Sequence, residues 1–342
     1  MKNYVLLWHD SARATGGIKA KEDTNNFFRQ ENYQVIDTPT GKIAKVLYVF
    51  CVLPFIFLKI RSGNVIVQFP SGKTFLQKMM LGCIKYLSGA KLILIVHDIE
   101  ALRANAGDGH SRENETELKL LGMADGLVSL NGVMTDWLHE HGINGLITNL
   151  NVWDYDNPNP INPMLPYTGS ICFAGNLDKS TFLTKYDLKH KLLVFGRKTT
   201  PVNFPGNIEY GGVFSPEELP SKLKANFGLI WDGDELTTCS GNFGKYLRYN
   251  TPHKTSLYLS SGVPVIVWKE AAIAKVIEHY GCGLTISSLN ELDDVLDDLT
   301  SEQYEKLYKN TVQVADMMRR GVFMQTAINS LIKMLDEGKK DE

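Results

Sequence analysis

The chain has 342 residues, 44% of them hydrophobic and 22% charged, with a net charge of −2; this is a globular composition that excludes a disordered or fibrous chain. The length exceeds one ordinary domain core and fits two domains of roughly 150 to 170 residues each. No dense Lys/Arg run accompanies the near-neutral total, so no nucleic-acid partner is expected, and the five scattered cysteines form neither a zinc pattern nor a disulfide framework and fit a reducing cytoplasm.

In chain order, residues 4–8 (Tyr-Val-Leu-Leu-Trp) predict a buried strand, too short for the apolar core of a signal peptide. A helix over 24–31 and a strand over 33–36 follow. Residues 46–58 are almost wholly apolar, flanked by Lys42, Lys45, Lys59 and Arg61, and fall well short of a membrane span. Because Pro54 interrupts any clean amphipathic stripe, a helix buried in the core or in a subunit contact is expected ahead of a peripheral membrane face. Strands over 65–69 and 91–96 enclose a helix over 74–87, and strands over 124–130 and 146–147 enclose one over 132–141. Continuous apolar runs such as Leu92-Ile93-Leu94-Ile95-Val96 predict parallel strands covered by helices on both faces.

The Pro/Asn-rich stretch over 154–166 cannot build a helix and marks a boundary near 155–168, which gives an N-terminal domain over 1–155. Strand patterns restart over 170–174, 192–195, 208–210, 227–231 and 263–268, predicting a second domain over 156–320. Two helices fill 302–336, and the last, within 321–342, crosses back to brace the first domain. The expected fold class is α/β, with two Rossmann-like doubly wound domains facing a cleft at the carboxyl ends of their strands.

The most informative segment is Tyr249-Asn250-Thr251-Pro252-His253-Lys254-Thr255-Ser256. Thr251 suits an N-cap and Pro252 the first helical position, so His253 and Lys254 fall in the first turn of a helix of about ten residues. Cations there oppose the macrodipole, and a bound diphosphate, held by Lys254, the Ser256 hydroxyl and the helix start, would resolve the conflict. Asn176 after Gly175, and Arg197 after Gly196, end two strands in the same half, where glycine lets a ligand approach the backbone. Tyr210 or Phe214, on either side of a Gly-Gly turn, is a candidate nucleobase contact, followed by a helix capped by Ser215. The polar stretch 235–245 is expected to form a mobile lid, and Asp232 and Asp234 are weak candidates for a metal, which the cationic helix start makes unnecessary. In the first half, Thr15-Gly16-Gly17 suits acceptor binding, and His97-Asp98-Ile99-Glu100-Ala101-Leu102-Arg103 gathers carboxylates that could supply a catalytic base. Equally, Asp98 could cap a helix and Glu100 could pair with Arg103.

Together with Gly228-Leu229-Ile230-Trp231-Asp232-Gly233, the two segments Tyr249 to Leu259 and His97 to Arg103 resemble a family of bacterial GT-B glycosyltransferases. That family includes β-1,6-galactofuranosyltransferases of surface polysaccharides and glucosyltransferases that extend glycans on serine-rich-repeat adhesins. The resemblance covers nearly the whole chain. It implies a UDP-sugar on the C-terminal domain, a glycan acceptor on the N-terminal domain, no metal or other cofactor, and a homo-oligomer (dimer or tetramer). It also implies that Lys254 contacts the diphosphate, with Tyr210, Arg197 and Asn176 as further donor contacts and Gly16-Gly17 beside the acceptor. The expected reaction is inverting transfer of a hexosyl group, glucose or galactofuranose, in the cytoplasm or at the inner face of its membrane. The alternatives are a nucleotide-sugar epimerase of the same architecture and a non-catalytic nucleotide-sugar-binding scaffold.

Overall fold

The computed structural model of the chain describes residues 2–9, 16–103, 112–199 and 203–337. Two compact units emerge, Met1–Leu150 together with Met324–Glu342, and Asn151–Phe323. Each holds a six-stranded sheet whose paired strands all run parallel.

In the first unit the strands are β1 (Asn3–Leu7), β2 (Gln34–Asp37), β3 (Asn64–Phe69), β4 (Lys91–Val96), β5 (Gly126–Ser129) and β6 (Leu146–Asn149), in the order β2-β1-β3-β4-β5-β6. All residues of β3 and β5, and all but Lys91 of β4, are buried, as continuous apolar strands between two helical layers require. The chain reverses its winding between β1 and β3, the crevice where open α/β sheets hold ligands. The final helix, Val322–Glu337, runs over this sheet from Met324 onward. The Leu331 side chain fills the space over Gly126 (a Cβ there would lie 2.9 Å from it), Thr148 Oγ1 donates to Ala327 O at 3.0 Å, and Lys91 Nζ to Leu335 O at 2.7 Å.

In the second unit, β7 (Ile171–Ala174), β8 (Leu192–Phe195), β9 (Ile208–Gly212), β10 (Phe227–Ile230), β11 (Val265–Trp268) and β12 (Gly283–Ile286) lie in the order β12-β11-β10-β7-β8-β9. The winding reverses between β7 and β10. Cys172, Cys239 and Cys282 are buried here; burial pushes the Cys172 thiol well up and the other two to about 12, so they pack as neutral core groups.

Four expectations need correction. The units part between Leu150 and Asn151, and residues 151–162 are bound to the second unit rather than linking two bodies: Thr251 Oγ1 donates to Asn151 O (3.3 Å), Ser256 Oγ to Trp153 O (2.8 Å) and Asn162 N to Ser261 O (3.0 Å). Backbone groups that cannot form a helix are satisfied instead by the side chains and carbonyls of a neighbouring one. Residues 46–58 fall in two helices, Lys42–Cys51 and Leu53–Lys59, separated at Val52, and much of their apolar surface is exposed rather than buried in the core. The helix expected after Ser215 shrinks to a 3-10 turn, Leu219–Lys222, although Ser215 and Glu218 exchange capping-box hydrogen bonds. The stretch 235–245 is no open lid: it contains the helix Gly241–Tyr246, and Trp231 Nε1, Leu289 N and Ser240 Oγ bond the loop before it.

Candidate active site

The second unit's site is built on one tyrosine. Tyr258, fully buried in the helix His253–Ser260, lays its ring against Gly228, where a Cβ would lie 2.3 Å from a ring carbon. Its hydroxyl accepts a hydrogen bond from Ala174 N–H at 2.6 Å. The helix is thereby set across β10 and β7, at the switch point. Arg319 secures its far end, donating to Ser260 O at 2.8 Å and Asn159 O at 2.7 Å, a cation at the carbonyl terminus as the macrodipole favours. Desolvation lowers the Arg319 pKa.

At the near end, Pro252 rather than Thr251 is the N-cap, with extended backbone, and the helix begins at His253. The Lys254 ammonium donates to Asp232 Oδ1 at 2.8 Å and Trp231 O at 3.0 Å, beyond the carboxyl end of β10, and sits 5.0 Å from the centroid of the Phe173 ring. The conflict between a cation and the helix dipole is therefore relieved by an internal carboxylate, Asp232, and not by a ligand alone. An ammonium has three donors; two are used here and one is left for an anion. His253 stacks on Tyr155, ring centroids 5.0 Å apart. Asn250 Oδ1 is buried beside the helix start without a hydrogen-bond partner among the described residues, and a ligand hydroxyl would satisfy it. Tyr249 is half-buried. Ser256 is fully buried with its hydroxyl committed to Trp153 O, so the expected ligand contact is an internal tie.

Gly175 and Gly196 meet at the ends of β7 and β8. Gly196 has φ 140°, and a Cβ there would lie 1.8 Å from Gly175 O, so only glycine lets these strand ends converge. Exposed Asn176 caps the turn Leu177–Lys179 by accepting from Asp178 N (3.1 Å), and exposed Arg197 follows Gly196. Tyr210 is 39% exposed, and its hydroxyl donates to Gly196 O at 3.1 Å while Lys198 lies over its ring at 4.5 Å. Asp234, the other candidate metal ligand, accepts from Thr181 Oγ1 at 2.6 Å.

In the first unit, Thr15 lies outside the described residues, whereas Gly16 and Gly17 open the helix Gly16–Gln30 after β1. A Cβ at Gly17 would meet nothing within 4 Å. Gly17→Ala should therefore leave the thermal midpoint unchanged, and a rise in the acceptor KM in that variant would mark the open side as acceptor space. Asp98 and Glu100 both meet Arg103, Asp98 through Oδ2 at 3.2 Å and Glu100 through both carboxylate oxygens. The start of the short helix Glu100–Arg103 is capped by Glu117 of the helix Arg112–Leu121, whose two oxygens accept from Glu100 N and Ala101 N at 3.0 Å each. Burial pushes the Glu117 carboxyl above its usual range, against those two N–H bonds. Behind this cluster, buried His97 Nε2 bonds Gln68 Oε1 at 2.6 Å, and Gln68 Nε2 donates to Asn25 Oδ1 at 2.6 Å.

Comparison with known proteins fits both halves of this arrangement. Residues 2–152 match the model of the N-terminal domain, and residues 171–331 that of the C-terminal domain, of glucosyltransferase 3-like proteins. The chain belongs to the glucosyltransferase 3-like family. It is 29% identical over 339 residues to the β-1,6-galactofuranosyltransferase WbbI of Escherichia coli K12, covering 96% of this chain and 98% of that one. It is 25% identical over 278 residues to glucosyltransferase 3 of Streptococcus gordonii, covering 80% of each. Among solved structures, Anabaena Alr3699/HepE in complex with UDP and glucose aligns with a TM-score of 0.57 at 10% identity, covering 97% of this chain and 99% of that one. Sucrose-phosphate synthase of Thermosynechococcus elongatus aligns at 0.60 and 11%, covering 99% and 100%. The two doubly wound units are those of the GT-B glycosyltransferase fold, and the family is one of glycosyltransferases.

Within this family member, three structural supports of the site escape a sequence reading. Tyr258, Arg319 and Glu117 act through partners at least 16 residues away along the chain. Gly228 offered the one local signal, since a glycine inside an apolar strand marks a close approach, although not by what.

Proposed function

We propose that this chain transfers a hexosyl group, glucose or galactofuranose, from a UDP-sugar to a hydroxyl of a glycan acceptor with inversion and without a metal. The observation that carries the donor half is the cation of Lys254, held by Asp232 and Trp231 O at the switch-point end of β10 on a helix start. Its remaining N–H and the helix dipole meet the negative charge that grows on UDP as it leaves. The acceptor oxygen forms a bond to the anomeric carbon, and the bond from that carbon to the diphosphate oxygen breaks, its electron pair leaving with UDP. A base takes the acceptor proton. We assign that role to Asp98 at the end of β4, with Glu100 as the alternative, both carboxylates being held near one another by Arg103. Free cysteines and a UDP-sugar substrate fit a cytoplasmic enzyme.

The test is a panel of UDP-sugars in thermal shift, since a ligand bound only to the native state raises its stability, followed by transfer assays with the stabilising donor in excess EDTA. Stabilisation by at least one UDP-sugar and chelator-resistant transfer are expected. Epimerisation without acceptor, or UDP binding with neither hydrolysis nor transfer, would replace the reading with an epimerase or a scaffold. Asp98→Asn should cut turnover roughly 100- to 10,000-fold, the range of a lost general base, with Glu100→Gln much closer to wild type. The reverse order exchanges the two roles.

A further inference from the structure

Ten of the seventeen exposed large hydrophobic residues among the described residues lie between Ile43 and Leu87. Single exposed apolar residues are ordinary, but a cluster is not. Ile43 (80% exposed), Leu47 (57%) and Phe50 (41%) share one stripe of the helix Lys42–Cys51, and Phe55 (65%) and Leu58 (45%) continue it on Leu53–Lys59. Phe75 (65%), near the start of the helix Thr74–Leu87, meets Phe50 with ring centroids 6.0 Å apart, so this helix and Lys42–Cys51 share one apolar surface.

Charge accompanies it. In a chain of net charge −2, the sixty residues from Thr38 to His97 contain eight Lys/Arg and no Asp or Glu. Lys45, Lys85 and Lys91 turn inward to His9 O, Asp125 and Leu335 O. Lys42, Lys59, Arg61, Lys73 and Lys78 are exposed and form no ion pair among the described residues. An isologous contact between two copies would set these exposed cations against one another. A bilayer carrying anionic headgroups would receive the apolar side chains and neutralise the cations together. No helix among the described residues is long and apolar enough to cross a membrane, so the contact is one of surface.

We propose that the first unit docks on an anionic lipid bilayer through the helices Lys42–Cys51 and Leu53–Lys59 and the start of Thr74–Leu87. The expectation for this stretch was burial in the core or in a subunit contact; exposed apolar side chains on both sides of Pro54 set the core aside, and the charge favours a bilayer over a second copy. It does not depend on the sugar chemistry.

The experiment is sedimentation of the full chain with vesicles of phosphatidylcholine alone or with three-tenths phosphatidylglycerol, at low and high salt. Each exposed cation near an anionic surface is worth about fivefold in binding, so partition onto phosphatidylglycerol vesicles should exceed that onto phosphatidylcholine by 100-fold or more at low salt. The variant Phe55→Ser/Phe75→Ser should lose at least tenfold, and Lys59→Gln/Lys73→Gln should lose most of the lipid preference, both with unchanged thermal midpoints and unchanged UDP binding. No phosphatidylglycerol-dependent partition, or partition unaltered by both variants, overturns the proposal. A dimer by light scattering that Phe55→Ser/Phe75→Ser converts to monomer, without vesicle binding, assigns the surface to a second copy instead.

Discussion

Lys254→Ala is expected to lower turnover with a UDP-sugar roughly 100- to 1000-fold, the loss typical of removing one preorganised donor from developing negative charge. Its effect on the fold should be small. The Lys254 and Asp232 side chains are 15% and 24% exposed, so the orphaned carboxylate keeps access to water, and such partly solvated pairs contribute far less than buried ones. The loss should fall on kcat, because the charge on the departing UDP is greatest in the transition state. Asp232→Asn separates the two roles of the lysine. If Lys254 served only to hold Asp232, both variants would behave alike; if it meets the diphosphate, Asp232→Asn should stay within about tenfold of wild type, a displaced but intact cation. Steady-state kinetics on both variants, with thermal midpoints as controls, decides the matter. Near-normal turnover in Lys254→Ala would remove the donor site from this end of the sheet.

Gly228→Ala is expected to be the most destabilising of the substitutions considered, by about 3 kcal/mol, at the upper end for overpacking a core. The added carbon would lie 2.3 Å from the Tyr258 ring, within van der Waals exclusion, and the ring has nowhere to retreat. It is fully buried, and its hydroxyl is fastened to Ala174 N–H. Moving the ring would break that hydrogen bond, leaving a buried N–H unsatisfied at a further cost of about 1 to 3 kcal/mol, and would lift the helix that carries Lys254. Denaturant titration followed by tryptophan fluorescence suits the measurement, since Trp231 and Trp268 are buried in the same unit, one at the end of β10 and one in β11. Unchanged stability would mean that the helix is not held through Tyr258. A variant that folds at low temperature should show a weaker donor affinity than Gly17→Ala, which changes nothing in the second unit.

The strands of both sheets differ in how plainly they read. β3, β4, β10 and β11 are short apolar runs buried on both faces, and such runs announce themselves. The strand β12, Gly283–Ile286, was not among the expected strands because an edge strand, only partly covered, carries a mixed pattern. Gly281, in left-handed conformation at the end of the helix Ala274–Tyr280, was the available clue that a new element begins there. The helix Arg112–Leu121 is polar over most of its length, so periodicity had little to grip, yet it supplies Glu117.

Pro252, His253 and Lys254 at a helix start, glycines at strand ends and apolar runs spaced by helices are local features. By themselves they determined a doubly wound α/β chain and a cationic helix start, because propensity, capping and dipole effects act within a few residues. The partners of those residues were decided by tertiary structure alone. Asp232 pairs with Lys254, Ser256 is spent on Trp153, Arg103 holds both candidate bases, and the apolar stretch 46–58 is turned outward. Each of these depends on which surfaces meet when strands distant in sequence pair and helices pack over them, and sequence spacing carries no record of that meeting.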